Sequence, residues 1–170
     1  MRLLQVVLQL VCVLHLGMRG GRNVELESHV LLVEDEAPLR RSLEKYLEGA
    51  GYAFDSCSNA REALCLAAKR PYDIVITEYR LPDANGSVLL EQLMRIMPDV
   101  ATIMISEFDF QAVAADLFRA NVQWYLKKPF DLVDLETALF SARSKVDISI
   151  GNVDWKRELY IQGMPASIFK

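Results

Sequence analysis

From residue 29 onward, short apolar runs alternate with longer stretches in which apolar residues recur at helical spacing. This alternation predicts β-α-β units laid into a parallel sheet, and five units fit. Residues 30–33 are a continuous apolar run, as expected of a strand buried on both faces. Pro38 then falls in a helix's first turn, where a missing N–H is tolerated. Leu39, Leu43 and Leu47 mark that helix's buried stripe, and Gly49 and Gly51 end it. Residues 52–57 read as strand two. Asn59 is placed to cap a second helix, whose Ala60, Ala63, Leu64 and Ala67 share a face until Pro71. Strand three covers 74–77, and the loop 81–86, rich in Pro, Asp, Asn and Gly, leads to a third helix closed by Pro98. Strand four covers 101–105, a weaker amphipathic helix 112–120, and strand five 122–126. Asp131 is expected to cap the last helix, with Leu132, Leu135 and Leu139 as its stripe, and the pattern fades after Ser144. The fold class is therefore α/β, a doubly wound five-stranded parallel sheet with helices on both faces.

The same pattern divides the chain into an apolar extension (1–28), one domain (29–144) and a polar tail (145–170) without a recognisable second domain. In the extension, Arg2 precedes a mostly apolar run from Leu3 to Leu16, like the core of a secretory signal. Gln5, Gln9 and His15 interrupt it, no A-x-A site follows, and it falls short of the ~20 residues that span a bilayer. Three readings stay open: an accessory helix, a signal-like segment, or a true start at Met18. No stable membrane span is expected.

Composition is that of a globular chain, 52% hydrophobic and 25% charged. A net charge of −4 supplies no basic footprint for nucleic acid. Cys12, Cys57 and Cys65 are an odd number without C-x-x-C spacing, so neither a disulfide framework nor a zinc site is expected. Free thiols in a reducing cytoplasm are the simpler account.

In an open parallel sheet, ligands bind at the carboxyl ends of the strands. Those ends are strongly polar here. Strand one leads into Glu34, Asp35 and Glu36; strand three into Glu78; strand four into Ser106 and Glu107; strand five into Lys127, Lys128 and Pro129. Gathered carboxylates repel one another, and hard oxygen ligands point to Mg²⁺ as the ion that would hold them together. Taken singly, a strand-end acid such as Glu36 is ordinary solvated surface or helix N-terminal charge.

The segments V-E-D-E, T-E-Y-R-L-P-D-A-N-G, I-S-E and Y-L-K-K-P-F, in that order, resemble the receiver domain of response regulators over about two thirds of the chain. The resemblance implies a flavodoxin-like sheet with strand order 2-1-3-4-5. It implies Mg²⁺ bound by Glu34 and, more directly, Asp35, with the acceptor-position Glu78 and the backbone carbonyl of Arg80 completing the protein ligands. Ser106 and Lys128 would contact a phosphoryl group, Tyr125 matches an aromatic switch residue, and Pro129 matches a proline that follows a cis peptide bond.

Two positions depart from the family pattern. Its phosphoacceptor is aspartate, and here Glu78 stands in that place. The extra methylene moves the carboxylate about 1.5 Å toward the phosphoryl position. In-line transfer depends on placement, so such a shift is expected to lower reactivity ~10²-fold or more. The same shift lets Glu78 offer its charge to Ser106 and Lys128 as a partial mimic, about −1 against nearly −2 for an acyl phosphate. Glu107 replaces a small residue and would repel a donor, add a ligand, or point to solvent.

The function expected is a stand-alone receiver domain in two-component phosphorelay signalling: a signalling module rather than an enzyme, cytoplasmic, with Mg²⁺ as its cofactor. Either phosphorylated Glu78 shifts a two-state equilibrium, or the domain is held in one state and docks a partner without phosphorylation; the second is preferred. Its partners are a sensor histidine kinase or other phosphorelay protein, a downstream effector protein and, as one option, a second copy, with no nucleic acid. A Mg²⁺-dependent phosphohydrolase is the competing class, although the D-x-D expected after its first strand is absent. A nucleotide binder lacks G-x-G-x-x-G, and the tail is short for a helix-turn-helix domain.

Overall fold

In the computed structural model, which describes residues 28–144, five strands and five helices alternate. They are β1 (His29–Val33), α1 (Ala37–Gly49), β2 (Ala53–Cys57), α2 (Ala60–Ala67), β3 (Ile74–Glu78), α3 (Gly86–Ile96), β4 (Ala101–Ser106), α4 (Phe110–Arg119), β5 (Trp124–Lys127) and α5 (Leu132–Ser144). All strand pairings are parallel, in the order β2-β1-β3-β4-β5. The readings made for 1–27 and 145–170 lie outside the described residues. Among the described residues no helix is long and apolar enough to cross a membrane.

Strand side chains alternate between faces, and the core divides accordingly. Val30, Leu32, Ile74, Ile76, Ile103 and Ile105 pack with Leu43 and Leu47 of α1 and Leu135, Ala138 and Leu139 of α5. Leu31, Val33, Val75 and Met104 pack on the other face with Ala60, Ala63 and Ala67 of α2, Leu89, Leu90 and Leu93 of α3, and Val113 and Leu117 of α4. The helices predicted on both faces are thus α1 with α5 and α2 to α4. Leu132 is a correction: it is 59% exposed, and the buried face of α5 runs through Leu135, Ala138, Leu139 and Ala142. Spacing sets the phase of a stripe, but not where the helix first meets the sheet.

Two strands start later than expected, for one physical reason. The N–H groups of Gly51 and Tyr52 bond to the carbonyls of Glu48 and Leu47, and Gly51 has φ +79°. Asn121 and Val122 repeat this on Phe118 and Leu117, with Asn121 at φ +46°. Both are Schellman closures, in which the residue after the left-handed position satisfies a helix carbonyl. Tyr52 and Val122 therefore finish α1 and α4.

Two loop contacts position the third strand's acid. Gly86 begins α3 against the backbone of β3, where an added Cβ would lie 2.1 Å from the Glu78 carbonyl oxygen. Asp83 reaches across to α2, its two carboxylate oxygens accepting from the N–H groups of Ala60 and Arg61 at 2.9 Å each. Asn59 also caps α2, accepting from Glu62 N–H at 2.9 Å, as expected.

Leu90→Ala should lower stability by about 2–5 kcal/mol in urea unfolding, the usual cost of a fully buried leucine, whereas Leu132→Ser should leave it nearly unchanged. Gly86→Ala should destabilise despite alanine's helix preference of up to ~1 kcal/mol, because its Cβ meets fixed backbone; its thermal midpoint should fall and the Glu78 amide resonance should shift. The N–H groups of Ala60 and Arg61 hold the Asp83 carboxyl below the usual range. A depressed folded-state pKa stabilises fully above the unfolded value and is lost as pH falls through the folded one. Asp83→Asn should therefore flatten the decline of Tm below about pH 4.

Candidate functional site

Because every strand runs the same way, the residues that leave them collect at one rim. Glu34 directly follows β1 and is 0% exposed; Glu78 ends β3 at 5%; Ser106 ends β4 at 0%. Lys128 follows β5 and brings its ammonium between the acids, 2.5 Å from Glu78 Oε2 and 3.1 Å from Glu34 Oε2. The other oxygens are held by backbone. Glu34 Oε1 accepts from Glu36 N–H at 3.1 Å, and Glu78 Oε1 from Tyr79 N–H at 2.8 Å and Arg80 N–H at 3.2 Å. Each glutamate is thereby fixed at both oxygens.

The electrostatics follow from this burial. Loss of water pushes the Glu34 carboxyl above its usual range, with Lys128 opposing the shift. Burial also works against the Lys128 ammonium, yet contact with Glu78 and Glu34 leaves its pKa raised. Asp35, by contrast, is exposed on the rim, as are Glu36 and Glu107. Of the readings open for Glu107, the solvent-facing one matches its place.

Ser106 sits beside the acids but makes different bonds from those expected. Its Oγ accepts from Phe108 N–H at 3.2 Å, and its carbonyl accepts from Lys128 N–H at 2.7 Å. The charge of Glu78 thus reaches Lys128, while Ser106 Oγ holds the β4–α4 loop. Tyr125 is half-buried, its ring 5.7 Å from that of Phe110, and its hydroxyl donates to the Phe108 carbonyl at 2.5 Å. Burial raises the Tyr125 pKa, so the phenol stays a donor near neutral pH. Lys127 pairs with Asp109 at the same loop, and the Lys128–Pro129 bond is cis, as the resemblance implied.

Sequence reading missed three residues here. Arg40, in α1, donates from Nη1 to the carbonyls of Glu34 at 2.7 Å and Asp35 at 3.3 Å, clamping the acidic loop from behind. Phe108 is gripped by Ser106 and Tyr125 and stacks beneath Arg80. Tyr79 donates from its hydroxyl to Asp116 of α4 at 2.5 Å. An arginine near a helix start and aromatics after strands are too common for spacing alone to single them out.

Among the described residues, no three or more acidic, histidine or cysteine side chains are gathered to hold a metal ion as they stand. Lys128 lies between Glu34 and Glu78, and Asp35 faces solvent. The donors nevertheless suit a hard divalent cation. The buried Oε2 oxygens of Glu34 and Glu78 share one ammonium, and the exposed Asp35 adds a third carboxylate at the same rim, leaving two negative charges.

Strand-end acids, a hydroxyl and a lysine thus share one rim of a 2-1-3-4-5 parallel sheet, and comparison with known proteins identifies that sheet. The family model described as the response regulator receiver domain matches residues 30–140. The transcriptional regulatory protein ResD of Bacillus subtilis is 32% identical over 61% of this chain and 43% of its own length. The photosynthetic apparatus regulatory protein RegA of Cereibacter sphaeroides is 28% identical over 66% of this chain and 61% of its own. The chain thus spans about half the length of these relatives. The signal receiver domain of an HD domain-containing protein from Pseudomonas fluorescens superposes with a TM-score of 0.62 at 28% identity, covering 69% of this chain and 98% of that one. The chain belongs to the response regulator receiver domain family of two-component signalling.

Proposed function

We propose that this receiver domain, residues 29–144, is a switch held in one state by Glu78 and works by docking a protein partner rather than by accepting phosphate. The observation that carries this reading is the 2.5 Å contact between Glu78 Oε2 and Lys128 Nζ. The glutamate brings its own carboxylate to the lysine at the acceptor position, with no phosphoryl group needed. Both groups lie in a poorly solvated rim, where removing one partner of an ion pair costs about 3–5 kcal/mol. An interaction of that size is enough to bias a two-state equilibrium whose states differ by a few kcal/mol. Tyr125, fastened to the Phe108 carbonyl, is the switch residue on this reading, and Ser106 tethers the same loop.

The docking face comprises α4, β5 and α5, and the exposed Leu132, Val133 and Phe140 of α5 give it apolar area for a downstream effector. A sensor kinase or other phosphorelay protein is the upstream partner in the family's pattern. Glu34, Asp35, Glu78 and the carbonyl of Arg80 would hold Mg²⁺. When bound, that ion offsets the two excess negative charges of the rim. The protein's own residues do the rest: Arg40 holds the acidic loop by its carbonyls, and Lys128 keeps the two buried glutamates together.

Incubation with Mg²⁺ and labelled acetyl phosphate tests the reading. The unmodified protein should remain unlabelled, whereas Glu78→Asp should gain label and lose it again when Lys128→Ala is added. Stoichiometric labelling of the unmodified protein that disappears in Glu78→Ala would overturn it.

A further inference from the structure

Glu78 ends β3 and Tyr125 lies within β5, and the residues joining them belong to two loops that the strand pattern does not pair. Arg80 is the hub on one side. Its backbone N–H donates to Glu78 Oε1 at 3.2 Å, and its guanidinium carbon lies 4.7 Å from the centroid of the Phe108 ring. Phe108 is the hub on the other side, where its carbonyl accepts from the Tyr125 hydroxyl at 2.5 Å. Tyr79 completes the contact, with its N–H on Glu78 Oε1 at 2.8 Å and its ring edge-on to Phe108 at 5.5 Å.

We propose that the stacking of Arg80 on Phe108 is a positioning contact that carries the state of the Glu78 carboxylate to Tyr125, alongside the bond from Phe108 to Ser106. The geometry leaves few steps. A carboxylate that releases Arg80 N–H frees the Arg80 backbone, the guanidinium then leaves the ring, and the loop 107–109 loses one of the contacts that keep the Phe108 carbonyl beneath the Tyr125 hydroxyl. A guanidinium suits this role because it is planar, always charged and weakly hydrated, so it stacks on an aromatic face where water still reaches. The inference does not depend on Glu78 taking up phosphate.

The test is a double-mutant cycle read by amide hydrogen exchange at Phe108 and Asp109, on the full chain without added Mg²⁺. Arg80 is exposed, so Arg80→Ala keeps the fold and retains the backbone N–H and carbonyl while deleting the stack. It should speed exchange at these amides about two- to fivefold, the range expected of an exposed cation–π contact. Glu78→Gln should shift the same amides in the parent protein, and that shift should fall by at least half in the Arg80→Ala background. Phe108→Leu, which keeps an apolar side chain without a π face, should likewise reduce the response, read then at Asp109. Equal responses to Glu78→Gln with and without Arg80, or no response in the parent, would overturn the proposal.

Discussion

One lysine holds the rim of this domain together. Lys128 meets two glutamates that are almost wholly removed from water. Without it their mutual repulsion and desolvation would favour a displaced loop. Its charge alone does not bring the acids into reach; the fold does, by ending β3 at Glu78 and placing Glu34 directly after β1. Backbone N–H groups from Glu36, Tyr79 and Arg80 then satisfy the remaining oxygens. The result is a rim charged in sum but locally paired.

That pairing is supported from beneath by contacts remote from any ligand. Gly86 lets α3 approach the Glu78 backbone where no other side chain would fit, and Asp83 ties the intervening loop to the start of α2. Arg40 does the equivalent for the first loop, with a guanidinium on two carbonyls. The β4–α4 loop is held on three sides by Ser106, Tyr125 and Arg80. Each loop at the rim thus has its own tether, and the loop bearing Phe108 is the one whose tethers reach both Arg80, beside the acids, and Tyr125.

Glutamate at position 78 sets how the third strand's acid is paired. A shorter side chain would stand farther from Lys128; here the carboxylate meets the ammonium directly. It makes no use of the Ser106 hydroxyl, which is engaged by Phe108 N–H. The two groups expected to meet the Glu78 charge thus differ: Lys128 is in contact with it, and the Ser106 hydroxyl serves the loop.

Much of this was legible in the chain itself. Apolar runs of four to six residues separated by helical stripes require buried parallel strands with helices over both faces, since no other arrangement covers them. The same order places Glu34, Glu78, Ser106 and Lys128 at strand ends, because parallel strands share one carboxyl edge. What periodicity does not encode is the fate of individual backbone groups. Tyr52 and Val122 look like strand residues yet close helices, because a left-handed residue before each aims its N–H backward. Leu132 fits the stripe but stays mostly exposed, because burial depends on where α5 crosses the sheet. Arg40, Phe108 and Tyr79 entered the site only through folding, since their partners lie on other elements. The sequence by itself determined the sheet, its two covered faces and the kinds of charge at its rim, for these follow from local patterning; which charges pair and which loops are tethered was decided by the tertiary structure, because those contacts join residues far apart in the chain.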